Sequence, residues 1–138
     1  MGVGEDLKLQ KRNTIVIVDD DLDLLKLLLS AYEAEGFDVK GFSNGKEAIA
    51  YLDLDSNIQT TRLLILDRLL PDMDGLDILR QFSQKLKAHT PVLILSVLSG
   101  ERDVLSGLKE GAVDYIEKPF NLTILMEKTT ALMNRFNA

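Results

Sequence analysis

Near its start the chain reads Thr14-Ile15-Val16-Ile17-Val18-Asp19-Asp20-Asp21, an apolar β-branched run that ends in three aspartates. A continuous apolar run of this length is typical of a strand buried on both faces, as in a parallel sheet. The next residues, Leu22 to Tyr32, are apolar at helical spacing, and Gly36 ends that segment. This stretch therefore predicts a buried strand, an acidic turn and a helix.

The rest of the chain repeats this alternation of strand and helix. Further strands are predicted at 37–42, 63–66, 91–95 and 115–117. Further helices are predicted at 43–52, 76–86, 100–109 and 121–134, and the polar segment 53–61 is predicted to be a loop. Five strand–helix units in a row predict an α/β fold, in which a five-stranded parallel sheet carries helices on both faces.

Length and composition limit the kinds of function. The 138 residues suit one domain, and 46% hydrophobic residues are enough to form a core at this size. The absence of cysteine excludes disulfide bonds and thiol catalysis, and it fits a reducing compartment. The net charge of −6 argues against direct nucleic acid binding by this chain, because such binding requires a basic surface.

The two ends of the chain are predicted to lie outside the domain. Residues 1–12 are charged and polar, without the apolar core of a signal peptide, and are expected to form a flexible leader. Residues 13–136 form the predicted domain, and 137–138 form a short C-terminal tail. The longest apolar runs are too short to span a bilayer, so we expect a cytoplasmic protein without membrane contact.

Polar side chains follow the carboxyl ends of four predicted strands. Although these residues are far apart in the sequence, the carboxyl ends of parallel strands meet at one edge of the sheet, where ligands bind. The residues expected at this edge are Asp19, Asp20, Asp21, Asp67, Ser96 and Lys118.

A cluster of carboxylates needs protons or a cation to hold it together. Two unit charges about 4 Å apart repel by roughly 4 kcal/mol at an effective dielectric constant of about 20. Mg²⁺ suits an all-oxygen site, and the absence of histidine and cysteine at this edge argues against zinc. Lys118 and Ser96 would neutralise the oxygens of a phosphoryl group during its transfer to a carboxylate, which would become an acyl phosphate.

Each of these residues also has an ordinary structural interpretation. The acids at 19–21 would form the cap and first turn of a helix, which is all we expect of Asp21. Asp67 alone would be a turn residue, Ser96 alone is uninformative, and Lys118 alone would be a surface lysine. Tyr115 alone would be a half-buried packing residue. Their joint occurrence favours a site for phosphoryl transfer.

Four motifs lie at the ends of the predicted strands. They are Ile-Val-Ile-Val-Asp-Asp at 15–20, Leu-Asp-Arg-Leu-Leu-Pro-Asp-Met-Asp-Gly at 66–75, Pro-Val-Leu-Ile-Leu-Ser at 91–96 and Gly-Ala-Val-Asp-Tyr-Ile-Glu-Lys-Pro-Phe at 111–120. In this order they resemble the motifs of the response-regulator receiver domain of two-component signalling. The resemblance covers about residues 13–136 and implies a doubly wound, flavodoxin-like (βα)5 fold with strand order 2-1-3-4-5, similar to that of chemotaxis regulators.

The resemblance implies a phosphoryl acceptor and a metal site. Asp67 would accept the phosphoryl group from a sensor histidine kinase. Asp20, Asp67 and the backbone carbonyl of Leu69 would bind Mg²⁺ directly, and Asp19 would act through a water molecule. The domain would catalyse only its own phosphorylation and dephosphorylation, so it would not be an enzyme acting on a separate substrate.

The resemblance also implies a switch. Ser96 and Lys118 would each contact a phosphoryl oxygen, and the peptide bond between Lys118 and Pro119 would be cis. As Ser96 shifts, Tyr115 would rotate inward and change the face formed by the fourth helix, the fifth strand and the fifth helix. That face would control an output domain or effector protein, or form a phosphorylation-dependent homodimer. Arg68 receives no role from the resemblance.

One departure from the family pattern concerns the lifetime of the phosphorylated form. The position after Ser96 is usually small in this family, whereas here it is Val97. Together with Leu98 and Leu69, this residue is expected to shield an acyl phosphate from water and to prolong its lifetime.

Two alternative functions stay open. A pseudo-receiver would bind partners without phosphorylation, although such domains usually lose an acidic residue or the lysine. A haloacid-dehalogenase-type phosphohydrolase would use the acids at 19–21, but that family needs an acidic pair after its lysine. The sequence offers only Glu127 beyond Lys118.

Overall fold

The computed structural model describes residues 12–86 and 89–136, which form a parallel sheet with helices on both faces. The strands are β1 (Thr14–Val18), β2 (Asp38–Phe42), β3 (Thr61–Leu66), β4 (Val92–Ser96) and β5 (Asp114–Glu117). They lie in the order β2-β1-β3-β4-β5, and each neighbouring pair is parallel. The predicted fold class and strand order are confirmed. The predicted C-terminal tail, and the predicted leader up to residue 11, lie outside the described residues.

Helices lie between successive strands, and a final helix follows β5. They are α1 (Leu22–Ala34), α2 (Gly45–Leu52), α3 (Asp55–Thr60), α4 (Gly75–Leu86), α5 (Glu101–Lys109) and α6 (Leu122–Phe136). The predicted fourth and fifth helices correspond to α5 and α6, because α3 lies in a segment predicted to be a loop. In this described part of the chain, no helix is both long enough and apolar enough to cross a membrane.

The short helix α3 shows that the prediction of a loop at 53–61 was wrong. Its sequence is polar apart from the buried Ile58, so hydrophobic periodicity provides no helical signal. Local hydrogen bonds hold it instead: the Asn57 side chain donates to the Tyr51 carbonyl, and the Asn57 carbonyl accepts from the hydroxyls of Thr60 and Thr61. Strand β3 therefore begins at Thr61, earlier than predicted.

The central strands β1, β3 and β4 are almost completely buried, as their apolar runs predict. Alternate side chains enter two hydrophobic layers, one beneath α2 and α4 and the other beneath α1 and α6. In the second layer, the hydroxyls of Tyr32 and Thr129 share a buried hydrogen bond of 2.7 Å. Strand β2 lies at the sheet edge and exposes Asp38 and Lys40, charges that discourage pairing with another sheet.

The loop between β3 and α4 is fastened to its neighbours. The Asp72 carboxylate accepts hydrogen bonds from the amides of Gly45 and Lys46, each at 2.8 Å, and so caps α2. These two bonds hold the pKa of Asp72 below its ordinary value. At Gly75, which begins α4, a Cβ atom would collide with the backbone carbonyl oxygen of Asp67. The loop therefore returns closely over the end of β3 and fixes the position of Asp67.

Candidate functional site

The carboxyl ends of four strands bring the predicted site residues together. Asp19 follows β1, Asp67 follows β3, Ser96 ends β4 and Lys118 follows β5. The Lys118 ammonium donates to Asp19 Oδ2 at 2.7 Å and to Asp67 Oδ2 at 2.8 Å. The two carboxylate side chains are only 3% and 5% exposed. The expected meeting of distant residues is observed, and the peptide bond between Lys118 and Pro119 is cis, as expected.

Backbone amides fix the orientation of the two buried carboxylates. Asp19 Oδ1 accepts a hydrogen bond from the Asp21 amide at 2.9 Å, and Asp67 Oδ1 accepts one from the Leu69 amide at 3.0 Å. Each carboxylate therefore has one oxygen held by its own loop and the other held by the lysine. This arrangement fixes the direction in which Asp67 presents its oxygens.

Burial and ion pairing shift the pKa values of Asp19 and Lys118 in opposite directions. Burial raises the pKa of Asp19 above its ordinary value, although the hydrogen bond and charge of Lys118 oppose the rise. Burial lowers the pKa of Lys118, but the hydrogen bonds to Asp19 and Asp67 outweigh that effect and leave this pKa raised. The lysine therefore stays protonated, whereas ionised Asp19 remains costly beside a second carboxylate. A further cation at this position would lower that cost.

The acidic residues fit a Mg²⁺ ion. Carboxylate oxygens of Asp19, Asp20 and Asp67 lie within 4.8 Å of one another, and of the three only Asp20 is exposed. An all-oxygen set of this kind is what Mg²⁺ prefers, so these residues would hold the ion. Leu69, the expected carbonyl ligand, is adjacent because its amide bonds to Asp67. Asp21 instead caps α1 through an amide of the first turn, as expected.

Ser96 and Tyr115, the expected switch residues, both contact Leu98. The Ser96 side chain is buried and its hydroxyl accepts from the Leu98 amide at 3.3 Å, while the Tyr115 hydroxyl donates to the Leu98 carbonyl. The Tyr115 ring packs against α5 at Gly107, where a Cβ atom would lie 2.9 Å from the ring. Leu98 thus joins the two residues through its backbone, a link that the sequence does not reveal.

Arg68 is a functional candidate that sequence reasoning missed. It directly follows Asp67, and its side chain is only 10% exposed. Its guanidinium donates to both carboxylate oxygens of Asp74, at 3.3 and 3.0 Å, and to the Asp103 carbonyl at 3.1 Å. The available signal was its position: an arginine at the end of a buried strand is itself at risk of burial, and a buried guanidinium requires acidic partners.

Apolar side chains surround the opening of the site. Val97 and Leu69 are 58% and 47% exposed, and Leu98 is half-buried. A groove of about 460 Å³ lies beside Lys118, and its lining includes Leu24, Leu27, Val97, Pro119, Phe120 and Leu122. A partner that approaches Asp67 would therefore touch apolar surface around a charged centre.

Comparison with known proteins places this geometry in context. A family model described as the response regulator receiver domain matches residues 15–130. The transcriptional regulatory protein CpxR of Klebsiella pneumoniae is 37% identical over 123 residues, which cover 89% of this chain and 50% of CpxR. The chain thus spans about half the length of that relative.

Solved structures agree with the family match. A two-component response regulator from Clostridium difficile superposes with a TM-score of 0.82 at 27% identity, over 91% of this chain and 99% of that one. The BeF3-activated receiver domain of DrrB, a Thermotoga maritima protein, has a TM-score of 0.77 at 31% identity, over 88% of this chain and 97% of that one. Both resemblances cover about nine-tenths of this chain.

Proposed function

The chain belongs to the response-regulator receiver family of two-component systems, and we propose that it accepts a phosphoryl group on Asp67 to switch a signalling surface. The observation that carries this proposal is the contact of Lys118 with both Asp19 and Asp67. It sets a fixed cation and an acidic cluster around one buried carboxylate. Such a set suits phosphoryl transfer, in which catalysis consists mainly of positioning and charge stabilisation.

In the proposed reaction Asp67 is the nucleophile. One of its carboxylate oxygens bonds to the phosphorus of a phosphohistidine, the phosphorus–nitrogen bond breaks, and the imidazole leaves with the bonding electrons and takes up a proton. Lys118 neutralises one phosphoryl oxygen, and the Ser96 hydroxyl donates to another. Mg²⁺ would be held directly by Asp20, Asp67 and the carbonyl of Leu69 and through a water molecule by Asp19, and it would add charge neutralisation.

The proposed output is the surface formed by α5, β5 and α6. Movement of Ser96 towards the phosphoryl group would carry Tyr115 with it, because both residues contact Leu98. Leu105 on α5 and Ile124 on α6 are 51% and 52% exposed and would offer apolar contacts to a partner. The partner would be an output domain, an effector protein or a second phosphorylated copy.

The proposed phosphoryl donor is a sensor histidine kinase in the cytoplasm. CpxR, which is about twice as long as the matched region, is a transcriptional regulatory protein. If this chain acts in the same way, nucleic acid contacts fall to another domain or partner, since its own net charge is −6. Apart from its own phosphorylation and dephosphorylation, we propose no enzymatic activity.

The two alternatives have weaker support. A pseudo-receiver has no need of the complete set of acidic residues and lysine that meets at the site. For a haloacid-dehalogenase-type phosphohydrolase, the acidic pair is missing: Glu127 is the one acidic residue after Lys118 in the sequence, and it is exposed within α6.

The test is a titration of the protein with beryllofluoride in the presence and absence of Mg²⁺, followed by backbone amide chemical shifts. We expect saturable, Mg²⁺-dependent shifts near Asp67, Ser96 and Lys118. They should vanish in Asp67→Asn and persist in Asp77→Asn, an exposed aspartate on α4 that serves as the matched control. A wild-type protein that does not respond would remove the phosphorylation proposal and favour the pseudo-receiver.

A further inference from the structure

Helix α5 is held only weakly by hydrophobic packing. Among its nine residues, all of which the structure describes, only Gly107 is buried. Leu105 and Leu108 are instead 51% and 42% exposed. By comparison, α1, α4 and α6 each bury several large side chains. Polar contacts at its two ends therefore contribute a large share of what seats α5 on the domain.

Arg68 makes the polar contact at the start of α5. Its guanidinium donates to the Asp103 carbonyl at 3.1 Å and lies 3.6 Å from Asp103 Oδ1, in the first turn of that helix. The same group binds Asp74 through two nitrogens, and it opposes the rise that burial causes in the pKa of Tyr115. One side chain thus connects the loop after Asp67 to the first turn of α5.

The connection made by Arg68 is anchored more firmly on the side of the Asp67 loop than on the side of α5. On the loop side, the Arg68 carbonyl accepts from the Gly75 amide at 2.8 Å, and Asp74 also caps α4 through the Leu76 amide at 2.9 Å. That side is therefore anchored to the well-packed helix α4. The other side ends on α5, which has little packing of its own. A displacement of the loop is consequently transmitted to α5 more readily than it is absorbed at Asp74.

We propose that Arg68 is a positioning residue that transmits a change at Asp67 to the first turn of α5. This inference rests on the proposed function, since phosphorylation of Asp67 is the change to be transmitted. It adds a second route beside the one through Leu98. The Asp67 carboxylate is bound by Lys118 and the Leu69 amide, so removal of the guanidinium leaves those contacts in place.

The test compares Arg68→Met with Arg80→Met in the whole chain. Arg80, on α4, pairs with Asp77 of the same helix and with Glu110 just beyond the opposite end of α5, and its side chain is 52% exposed. At saturating Mg²⁺ and beryllofluoride, we expect the amide shift changes of residues 101–109 to be about threefold smaller in Arg68→Met than in wild type. The shifts next to Asp67 should saturate as in wild type, and Arg80→Met should respond fully.

Further variants separate transmission from a merely structural role. Arg68→Lys keeps the charge but not the planar group that reaches two partners, so its α5 response should be intermediate. It also keeps the inference testable if Arg68→Met does not fold. If transmission passes through Asp103, adding Asp103→Asn to Arg68→Met should cause no further loss.

The outcomes distinguish this inference from the function on which it rests. A full α5 response in Arg68→Met, or an equal loss in Arg80→Met, overturns the role of Arg68 and leaves phosphorylation of Asp67 intact. If wild-type protein shows no shift near Asp67, the proposed function fails and this inference fails with it.

Discussion

An arginine from outside α5 contacts each end of that helix, but one arginine is buried and the other is exposed to solvent. At the first turn, Arg68 is 10% exposed and bonded to Asp74 and Asp103; at the last turn, Arg80 is 52% exposed and paired with Glu110. Solvent and salt screen an exposed pair, whereas a buried guanidinium that loses its partners pays a large desolvation cost. The end of α5 near Asp67 is therefore coupled to the core, and the far end is held loosely.

The pKa values of the two arginines do not show this difference. The hydrogen bond that Arg68 donates to Asp74 raises the pKa of Arg68, and the one that Arg80 donates to Glu110 raises the pKa of Arg80. Both shifts have the same direction and the same kind of cause. Exposure to solvent, rather than the shift itself, decides how much each contact stabilises the fold.

The largest expected effect comes from Gly75, at the start of α4 in contact with the Asp67 loop, when it is compared with Gly111, just beyond the far end of α5. A methyl group at Gly75 would collide with the Asp67 carbonyl oxygen, a backbone atom that cannot rotate away. We expect Gly75→Ala to lower the free energy of unfolding by about 3 kcal/mol. Gly111, just beyond α5, has a φ of +117° and open space around it. Gly111→Ala should therefore cost only about 1–2 kcal/mol, from backbone conformation alone.

Urea denaturation measures the loss of stability in each variant. The affinity for beryllofluoride then shows which of the two substitutions also disturbs the site. Only Gly75→Ala should weaken binding at Asp67, because only this residue packs on the acceptor loop. If Gly111→Ala weakened binding as much, the far end of α5 would be coupled to the site as strongly as the acceptor loop is, and the comparison would fail.

A smaller effect is expected from the arginines themselves. Arg68→Met should lower the free energy of unfolding by about 1–2 kcal/mol. The loss stays below that of a fully buried pair because the Asp74 and Asp103 side chains are 42% and 38% exposed and can be rehydrated. Arg80→Met should change stability little. Thermal melts at low and high NaCl check this, since salt should abolish any effect at Arg80 while most of the Arg68 effect remains. Equal salt sensitivity would contradict the comparison.

Much of the site could be predicted from the sequence because topology places it. Asp19, Asp67, Ser96 and Lys118 each follow or end a strand, and in a parallel sheet such positions meet at one edge whatever the details of packing. Their convergence therefore required only correct strand ends and a correct strand order. Both were available from apolar runs and from the family motifs.

The features that sequence analysis missed depend on tertiary contacts and side-chain hydrogen bonds, which hydrophobic patterns and motifs do not record. The partner of Arg68 in α5, Asp103, lies 35 positions further along the chain, and their contact depends on how α5 sits on the sheet. The helix α3 is held by side-chain hydrogen bonds of Asn57 and the threonines rather than by an apolar stripe. The shared contact of Ser96 and Tyr115 uses the backbone of Leu98, which no side-chain pattern records.

The hydrogen bond between Tyr32 and Thr129 shows whether burial or charge decides how sensitive a contact is to salt. Tyr32 and Thr129 are completely buried and neutral, and they join α1 to α6. Tyr32→Phe should cost about 1 kcal/mol at every salt concentration, since Thr129 keeps its bond to the Leu125 carbonyl. If this loss varied with salt as the Arg80 effect does, burial would not be the property that removes salt sensitivity.

The same tyrosine predicts a pH dependence. Burial raises the pKa of Tyr32 from 10.0 to about 12. Because the folded-state pKa is the higher one, the stabilisation is complete below pH 10 and is lost as the pH rises towards 12. The loss amounts to about 1.4 kcal/mol for each pH unit. The stability advantage of wild type over Tyr32→Phe should therefore disappear at about pH 11, as measured by urea denaturation.

The smallest expected effect concerns water at the end of α5 near Asp67. Val97 and Leu98 lie in the loop that leads into α5, and Val97 is 58% exposed. If they shield the acyl phosphate, Val97→Ala and Leu98→Asn should each hydrolyse it about threefold faster, a change of roughly 0.7 kcal/mol in the barrier. The decay of phosphorylated protein measures the rate. Leu108→Ala, a matched exposed leucine near the other end of α5, should decay as wild type does.

Leu98→Asn is the sharper of the two variants because it changes polarity without removing the switch contacts. Ser96 and Tyr115 bind the amide and the carbonyl of Leu98, and the substitution keeps both groups. Faster decay in this variant would therefore reflect access of water rather than a broken link. Unchanged decay in both variants would mean that water reaches Asp67 without crossing this loop. The exposed Val97 would then serve contact with a partner, alongside the apolar groove beside Lys118.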